Sequence, residues 1–309
     1  MKIERLAGNP IITQALDDAL GNNINGPSLI RMPDWIAHPL GRYYLYFAHH
    51  TGRFIRLAYA NSLEGPWRVH APGVLSLEES TCTDHVASPD VHVDHERREI
   101  RMYFHGVAFP RGRTDGHEQL FGEASRWIGN QRSKLATSGD GIAFTARSQP
   151  LGASYFRVFR WDGWTYALAM PGVFYRSRDG IGDFELGPIL FSSTFRHCAA
   201  CVRGHTLHVF FTRAGDCPES ILHATVDLRP DWEHWTVGET RAVLSPQTDY
   251  EGGLLPLRPS ARGPAFQPAR ELRDPALFSE DGRSYLLYAA AGEQAIAIAA
   301  LRDWPPDAP

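Results

Sequence analysis

The sequence predicts an all-β protein, a five-bladed β-propeller, and three observations carry that expectation. Short β-rich runs recur along the chain between turns drawn from its 28 Gly and 22 Pro, and no convincing long helix interrupts them. The runs group into a repeated unit of strand, turn, apolar strand, turn, strand, the kind of period that marks a propeller. The last unit lacks an outer strand, while the first residues belong to no unit and can supply one.

The units read off in order. The first is PSLIR, GRYYLYFAHH and FIRLAYANSLEGPWRVH; the second is SPDVHVD, REIRMYFHG and SKLATSGDGIAFTAR. The third is SYFRVFR, WTYALAM and VFYRSRDGIGDFEL; the fourth is RHCAACV, HTLHVFFTR and ILHATVDLRPDWEHWTV. The fifth, DPALFSE, RSYLLYA and AIAIAAL, stops before the Pro-rich DWPPDAP. Ile3–Ile12 are therefore expected to pair as its outermost strand, closing the ring and covering a strand edge. Two stretches break the pattern, Gly106–Ser133 inside the second unit and Ser245–Arg270 between the fourth and fifth. Long loops in a compact domain are usually functional or disordered, and both are expected to rim one mouth of the channel. All-β domains exceed the usual size, so residues 1–309 are read as one domain. A β-sandwich or jelly roll is the competing architecture.

Composition narrows the function classes. A net charge of −4 offers no case for nucleic acid, which favours a basic patch or stripe, nor for an anionic membrane surface. No apolar run approaches the ~18 residues of a membrane helix. The N-terminal MKIERLAGNPIIT has no signal-peptide core, so cytoplasmic residence is the default expectation. Cys198 and Cys201 form a C-x-x-C, but within a β pattern and without the second pair a zinc site usually shows. With Cys82 and Cys217 they read as ordinary buried or half-buried thiols. No cofactor is expected and no metal ligands are assigned. The 8 Trp, 11 Tyr and 16 Phe suit strands and sugar-contacting surfaces, with Trp127, Trp161 and Trp164 as stacking candidates.

In a propeller the innermost strand of each blade lines the channel. Polar residues at the start of those strands are Asn25, Asp90, Tyr155 with Arg157, Arg196 with His197, and Arg273 with Asp274. Burying such groups unpaired is costly, about 2–7 kcal/mol each on transfer scales, and a hydrated ligand-binding funnel removes that cost. Of the 14 histidines, His49, His50, His85, His92, His105 and His197 fall near strand ends that could face the funnel. Converging imidazoles can bind sugar hydroxyls or a metal.

The phrases PSLIR…GRYYLYFAHH, SPDVHVD…IRMYFHG and RDPALF…GRSYLLYA resemble the five-bladed propeller glycoside hydrolases: the arabinofuranosidase/β-xylosidase group and its invertase-like relatives. The resemblance implies a carbohydrate substrate cleaved by carboxylates from separate blades, with inversion in the first group and retention in the second. It implies a general-base Asp where this chain has Gly26. It makes Asp90, in Ser88-Pro89-Asp90, the residue that orients the acid. Glu251, in Tyr250-Glu251-Gly252-Gly253, resembles the context of the acid, and Arg273-Asp274-Pro275 resembles the invertase-type motif whose Asp stabilises the transition state. With Gly26 unable to transfer a proton, the expectation is that Asp90 and Asp274 are the central carboxylates and Glu251 the acid, with Glu118 and Glu123 as alternative acids. Asn25, His49, His85, His105, Tyr155, Arg157, Arg196, His197 and Arg273 are expected to bind substrate.

Three functions compete. A glycosidase of small furanosides or xylosides needs two carboxyl groups with pKa values driven apart. A carbohydrate-binding propeller that has lost hydrolysis is favoured by Gly26. A metal-assisted hydrolase or lyase is favoured by the histidines. Fold alone does not choose among them.

Overall fold

In the computed structural model, five antiparallel sheets stand as blades around one axis. The structure describes residues 1–110 and 129–305 and, between them, residues 113, 115, 116, 119 and 121. Strands β1 (Lys2–Arg5) and β2 (Ile12–Thr13) precede blade one, which is β3 (Asn25–Arg31), β4 (Tyr43–Ala48), β5 (Phe54–Ala60) and β6 (Arg68–Ser76). Blade two is β7 (Val86–Asp94), β8 (Glu99–Val107) and β9 (Gln131–Ser138), with β10 (Thr145–Ala146) and β11 (Gly152–Ala153) both paired to β9. Blade three is β12 (Arg157–Trp161), β13 (Trp164–Ala169), β14 (Val173–Ser177) and β15 (Glu185–Ile189). Blade four is β16 (Phe195–Arg203), β17 (Thr206–Arg213), β18 (Ile221–Asp227) and β19 (Arg241–Leu244). Blade five is β20 (Arg273–Glu280), β21 (Arg283–Ala290) and β22 (Ala295–Arg302), completed by the N-terminal strands.

The second strand of each blade shows why its sequence is apolar nearly throughout. Every residue of β4, Tyr-Tyr-Leu-Tyr-Phe-Ala, is buried, because neighbouring blades cover both faces of the sheet. Strict apolar/polar alternation belongs to a sheet with one wet face. The core is accordingly divided into slabs between blades. One joins Leu45 and Phe47 of blade one to Leu287 and Ile298 of blade five, and another joins Tyr46 and Ile55 to Met102 and Phe104 of blade two.

The ring closes as expected, with one irregularity. Lys2–Arg5 pair with Arg302–Ala299, and Ile12–Thr13 pair with Ile296–Ala295. Between them the chain leaves the ladder and Asn9 bridges the break. Its Nδ2 donates to the Ile298 carbonyl at 2.7 Å and its Oδ1 accepts from the Ile298 amide at 2.8 Å. The side-chain amide thus stands in for a backbone peptide, pairing the Ile298 amide and sharing the Ile298 carbonyl with the Leu6 amide at 3.2 Å.

Candidate functional site

One end of the channel is shaped by an irregularity repeated from blade to blade. Register breaks between Asn25 and Ser28, between Ala87 and Asp90, between Phe195 and Cys198, and between Arg273 and Ala276. Each break leaves two residues of the inner strand opposite one: Gly26-Pro27, Ser88-Pro89, Arg196-His197 and Asp274-Pro275. Such bulges bend the strand and re-aim side chains. Gly26, Ser88 and Asp274 have φ of +58°, +50° and +47°, and Tyr155, just ahead of β12, has +72°. Positive φ is uncommon outside glycine and costs strain. Its recurrence around one axis marks a place where side-chain direction matters more than local comfort.

These positions converge on a cavity of about 180 Å³ at the mouth where the inner strands begin. Asp274, Tyr155, His197, Arg196, Asn25, His85 and His105 all line it, although they come from five blades. The sequence reading passed over Ser88, Gln131, Met170 and Arg262, which also line it, and named His50, a further lining residue, only as a strand-end histidine. Ser88 was legible. Gly26-Pro27, Ser88-Pro89 and Asp274-Pro275 repeat one X-Pro pair, and aligning those pairs puts Ser88, not Asp90, opposite Asp274. Arg262 and Gly263 belong to the long connection between blades four and five, which does reach this mouth.

Asp274 is 1% exposed. Its Oδ1 accepts a short hydrogen bond from the Tyr155 hydroxyl. His197 stacks on the Tyr155 ring, centroids 4.9 Å apart, and its Nδ1 lies 3.2 Å from the same oxygen in a geometry too poor for a hydrogen bond. Burial, then the nearby Glu293 charge, raise Asp274 to about 6 against the opposing pull of Tyr155, Arg196 and Arg273. Burial and the neighbouring Arg196 hold His197 well below its ordinary value, and burial and His85 do the same to His105. Both imidazoles are therefore neutral near pH 7, each offering one donor and one acceptor.

A buried charged lattice fixes this face. Arg273 binds Glu293 Oε1 at 2.9 Å and Glu271 at 2.8 Å, and donates to the Gly263 carbonyl at 2.9 Å. Arg196 binds Glu219 at 3.3 Å and the Ala261 carbonyl at 3.0 Å. Glu293 also accepts from Asn23 and, at 3.2 Å, from the Ala265 amide. Arg273 thus works behind the cavity rather than in it. Around the cavity Asn25 Oδ1, His105 Nδ1, Arg196 Nε, Glu219 Oε1 and Asp274 Oδ2 are buried without a hydrogen-bond partner. Roughly nine in ten buried polar groups are paired in folded proteins, so this concentration sets the region apart.

The remaining expected residues lie elsewhere. Asp90 follows the bulge instead of occupying it, so its side chain faces the opposite mouth, where its Oδ2 accepts from the Val158 amide and meets His92 Nε2, each at 2.8 Å. Arg157 lies across the axis between the two mouths. It donates to the carbonyls of Ser88, Pro89 and Cys198 at 3.0–3.3 Å, and its guanidinium sits 4.4 Å from the Tyr155 ring centre. Glu251 does not swing over the funnel. It is fully buried behind blade five, bound to Arg5 of β1 at 2.7 Å and to the Tyr288 hydroxyl at 2.8 Å. His49 stands at the rim, bonded to Asn22 and tilted against Phe266, and does not line the cavity. Trp161 and Trp164 lie outside it, the first bonded to the Leu228 carbonyl and the second stacked with Arg176 and Arg178. Glu118, Glu123 and Trp127 fall outside the described residues. The position of the missing base is closed by packing. A Cβ at Gly26 would meet Ser88 Cα at 2.9 Å. Cys198 is buried and Cys217 exposed, the latter against the expectation of buried or half-buried thiols. Among the described residues no three His, Cys, Asp or Glu side chains are grouped to hold a metal ion, and no helix is long and apolar enough to cross a membrane.

The chain is 36% identical over 313 aligned positions to "Uncharacterized protein R118" of Acanthamoeba polyphaga mimivirus, a match covering 90% of this chain and 83% of the viral protein. It belongs to that protein's family. No family model matches the chain. Among solved structures, one from the family 130 mannoside phosphorylases, which contain glycoside hydrolases that target β-1,2 mannosidic linkages in Candida mannan, superposes with a TM-score of 0.65 at 14% identity, covering 99% of this chain and 96% of that one. A family 43 β-xylosidase/α-arabinofuranosidase from a compost metagenome gives 0.58 at 14%, covering 97% and 95%. A family 43 enzyme from Xanthomonas citri, complexed with xylose, gives 0.59 at 11%, covering 91% and 88%. At such identities the likeness establishes the shared five-bladed ring.

Proposed function

We propose that this protein is a glycosidase acting on a small furanoside- or xyloside-type glycoside, with Asp274 as its acid/base carboxylate. The observation that carries the reading is Asp274 itself: a buried carboxyl with a raised pKa, one oxygen held by Tyr155 and the other unpartnered at the cavity. Below about pH 6 it keeps a proton to give to a leaving-group oxygen. The neutral His105 and His197, with Asn25, supply donors and acceptors for ring hydroxyls. The modest volume, below the about 300–1,000 Å³ of drug-sized sites, suits a single terminal sugar. The ring shared with xylosidases and arabinofuranosidases supports the substrate class. Cleavage needs a second carboxylate. The insertion carries Glu118 and Glu123 for that role, since Asp90 and Glu251 are turned away.

The second reading, a propeller that binds a sugar without cleaving it, is favoured by the closed position at Gly26. Wild-type protein assayed against a panel of nitrophenyl glycosides, furanosides included, separates the two. Release of nitrophenol from at least one furanoside or xyloside is expected. Saturable binding of such a substrate with no release would favour the second reading.

A further inference from the structure

A second axial cavity is larger than the one around Asp274. At the opposite mouth, where the inner strands end, a space of about 530 Å³ is walled by residues of β3, β7, β12, β16 and β20. This lies within the about 300–1,000 Å³ of small-molecule sites. Arg157, buried between the two mouths, separates it from the Asp274 cavity.

The wall has two chemical characters. Asp90 and His92 form a pair at 2.8 Å, Asp90 mostly buried and the His92 side chain 40% exposed. Burial would raise the Asp90 carboxyl, but His92, Arg157 and the Val158 amide outweigh it and hold it below its ordinary value. Asp90 is therefore ionised, a fixed acceptor, and one guanidinium nitrogen of Arg157, Nη2, is buried without a partner. Around them are short apolar side chains, Ala199, Ala200 and Ala276. The charges nearly cancel, since Arg31 and Arg157 face Asp34, Asp90 and Glu280, with His92 and His95 beside them. An ionised acceptor beside cationic donors, on a near-neutral wall with a small apolar face, matches neither a polyanion nor a purely apolar ligand.

We propose that this mouth is a second ligand site, separate from the Asp274 cavity, that takes a neutral polyhydroxylated ring such as one sugar residue. Adjacent hydroxyls would donate to Asp90 and hydrogen-bond the other ring nitrogen of His92, and the C–H face of the ring would lie on the alanines. The inference rests on the fold and on Asp90, His92 and Arg157, and holds whether or not the Asp274 site is hydrolytic.

The test is ligand-observed NMR and calorimetric titration of the full chain with methyl glycosides of xylose, arabinofuranose, glucose and mannose, and with mannitol as an acyclic control. Three proteins are compared: wild type, Ala276→Trp to fill the mouth, and Asp274→Asn. At least one methyl glycoside is expected to bind wild type and Asp274→Asn alike, and Ala276→Trp about tenfold or more weakly, a loss of about 1.4 kcal/mol or more. His92→Ala, less disruptive to packing, is expected to weaken the same probe in the same direction. Turnover at the Asp274 site, where present, should be unchanged in Ala276→Trp. The proposal is overturned if no methyl glycoside binds, or if all binding is lost in Asp274→Asn and kept in both Ala276→Trp and His92→Ala.

Discussion

At the scale of single residues, the behaviour of Asp274 follows from its burial and two neighbours. Burial and the charge of Glu293 favour its protonated form, and the Tyr155 hydroxyl favours the ionised form. Its folded pKa lies above the ordinary 3.8, so an acid role is available at low pH and disappears as pH rises through about 6. Two substitutions should move that limb in opposite directions. Glu293→Gln removes a like charge, so the limb should move to lower pH by about one unit. Tyr155→Phe removes a donor to the ionised form, so the limb should move to higher pH. The pH dependence of kcat/KM reports both; shifts in the same direction, or none, would remove Glu293 and Tyr155 from the tuning of this carboxyl. Much of this cluster was legible in sequence, because polar residues at the head of otherwise apolar strands stand out. Asp90 was misplaced because strand alternation shows a residue's distance from the strand start but hides a bulge. The extra residue in β7 carried its side chain to the other mouth. Glu293, Glu219 and Asn23 lie in loops with no periodicity to betray them.

At the scale of elements, the N-terminal strand illustrates how a local need selects a distant partner. Blade five ends with an open edge, and β1 and β2 cover it. Glu251 is the anchor beneath. Burial would raise its pKa, but Arg5, the amides of Gln247 and Thr248, and Tyr288 outweigh that effect and hold it below its ordinary value. Its contribution to stability is thus complete above its ordinary pKa of 4.5 and fades as pH falls through the lower folded value. Arg5→Ala strands the buried carboxylate and should cost about 3 kcal/mol, measured by urea unfolding at neutral pH. Glu251→Gln, which keeps shape and removes the charge, should cost less. Equal stability of Arg5→Ala and wild type would show that the pair does not hold the closure. Deleting residues 1–12 should cost more than either substitution, read as a lower melting temperature. The pairing of the termini could be foreseen from an edge lacking a strand. The role of Glu251 could not, because its Glu-Gly context fits a solvated loop as well as a buried ion pair.

At the scale of the whole molecule, the ring converts a repeated strand pattern into two axial cavities with different chemistry. Five blades stacked face to face bury both sides of their central strands, and for that reason the apolar runs announce the fold so clearly. The substrate is not written in the same way. It depends on which residue the head of each inner strand presents, at a bulge in four blades and just ahead of β12 in the third, and there the five blades differ: Gly26, Ser88, Tyr155, Arg196 and Asp274. Only the last of these is a carboxylate, and the account of function rests on it. The most direct test is kcat/KM of Asp274→Asn against the best nitrophenyl glycoside of the wild type, with the melting temperature measured alongside. A loss of about 10²–10⁴-fold with the melting temperature nearly unchanged is the predicted result. Turnover equal to that of the wild type would contradict it.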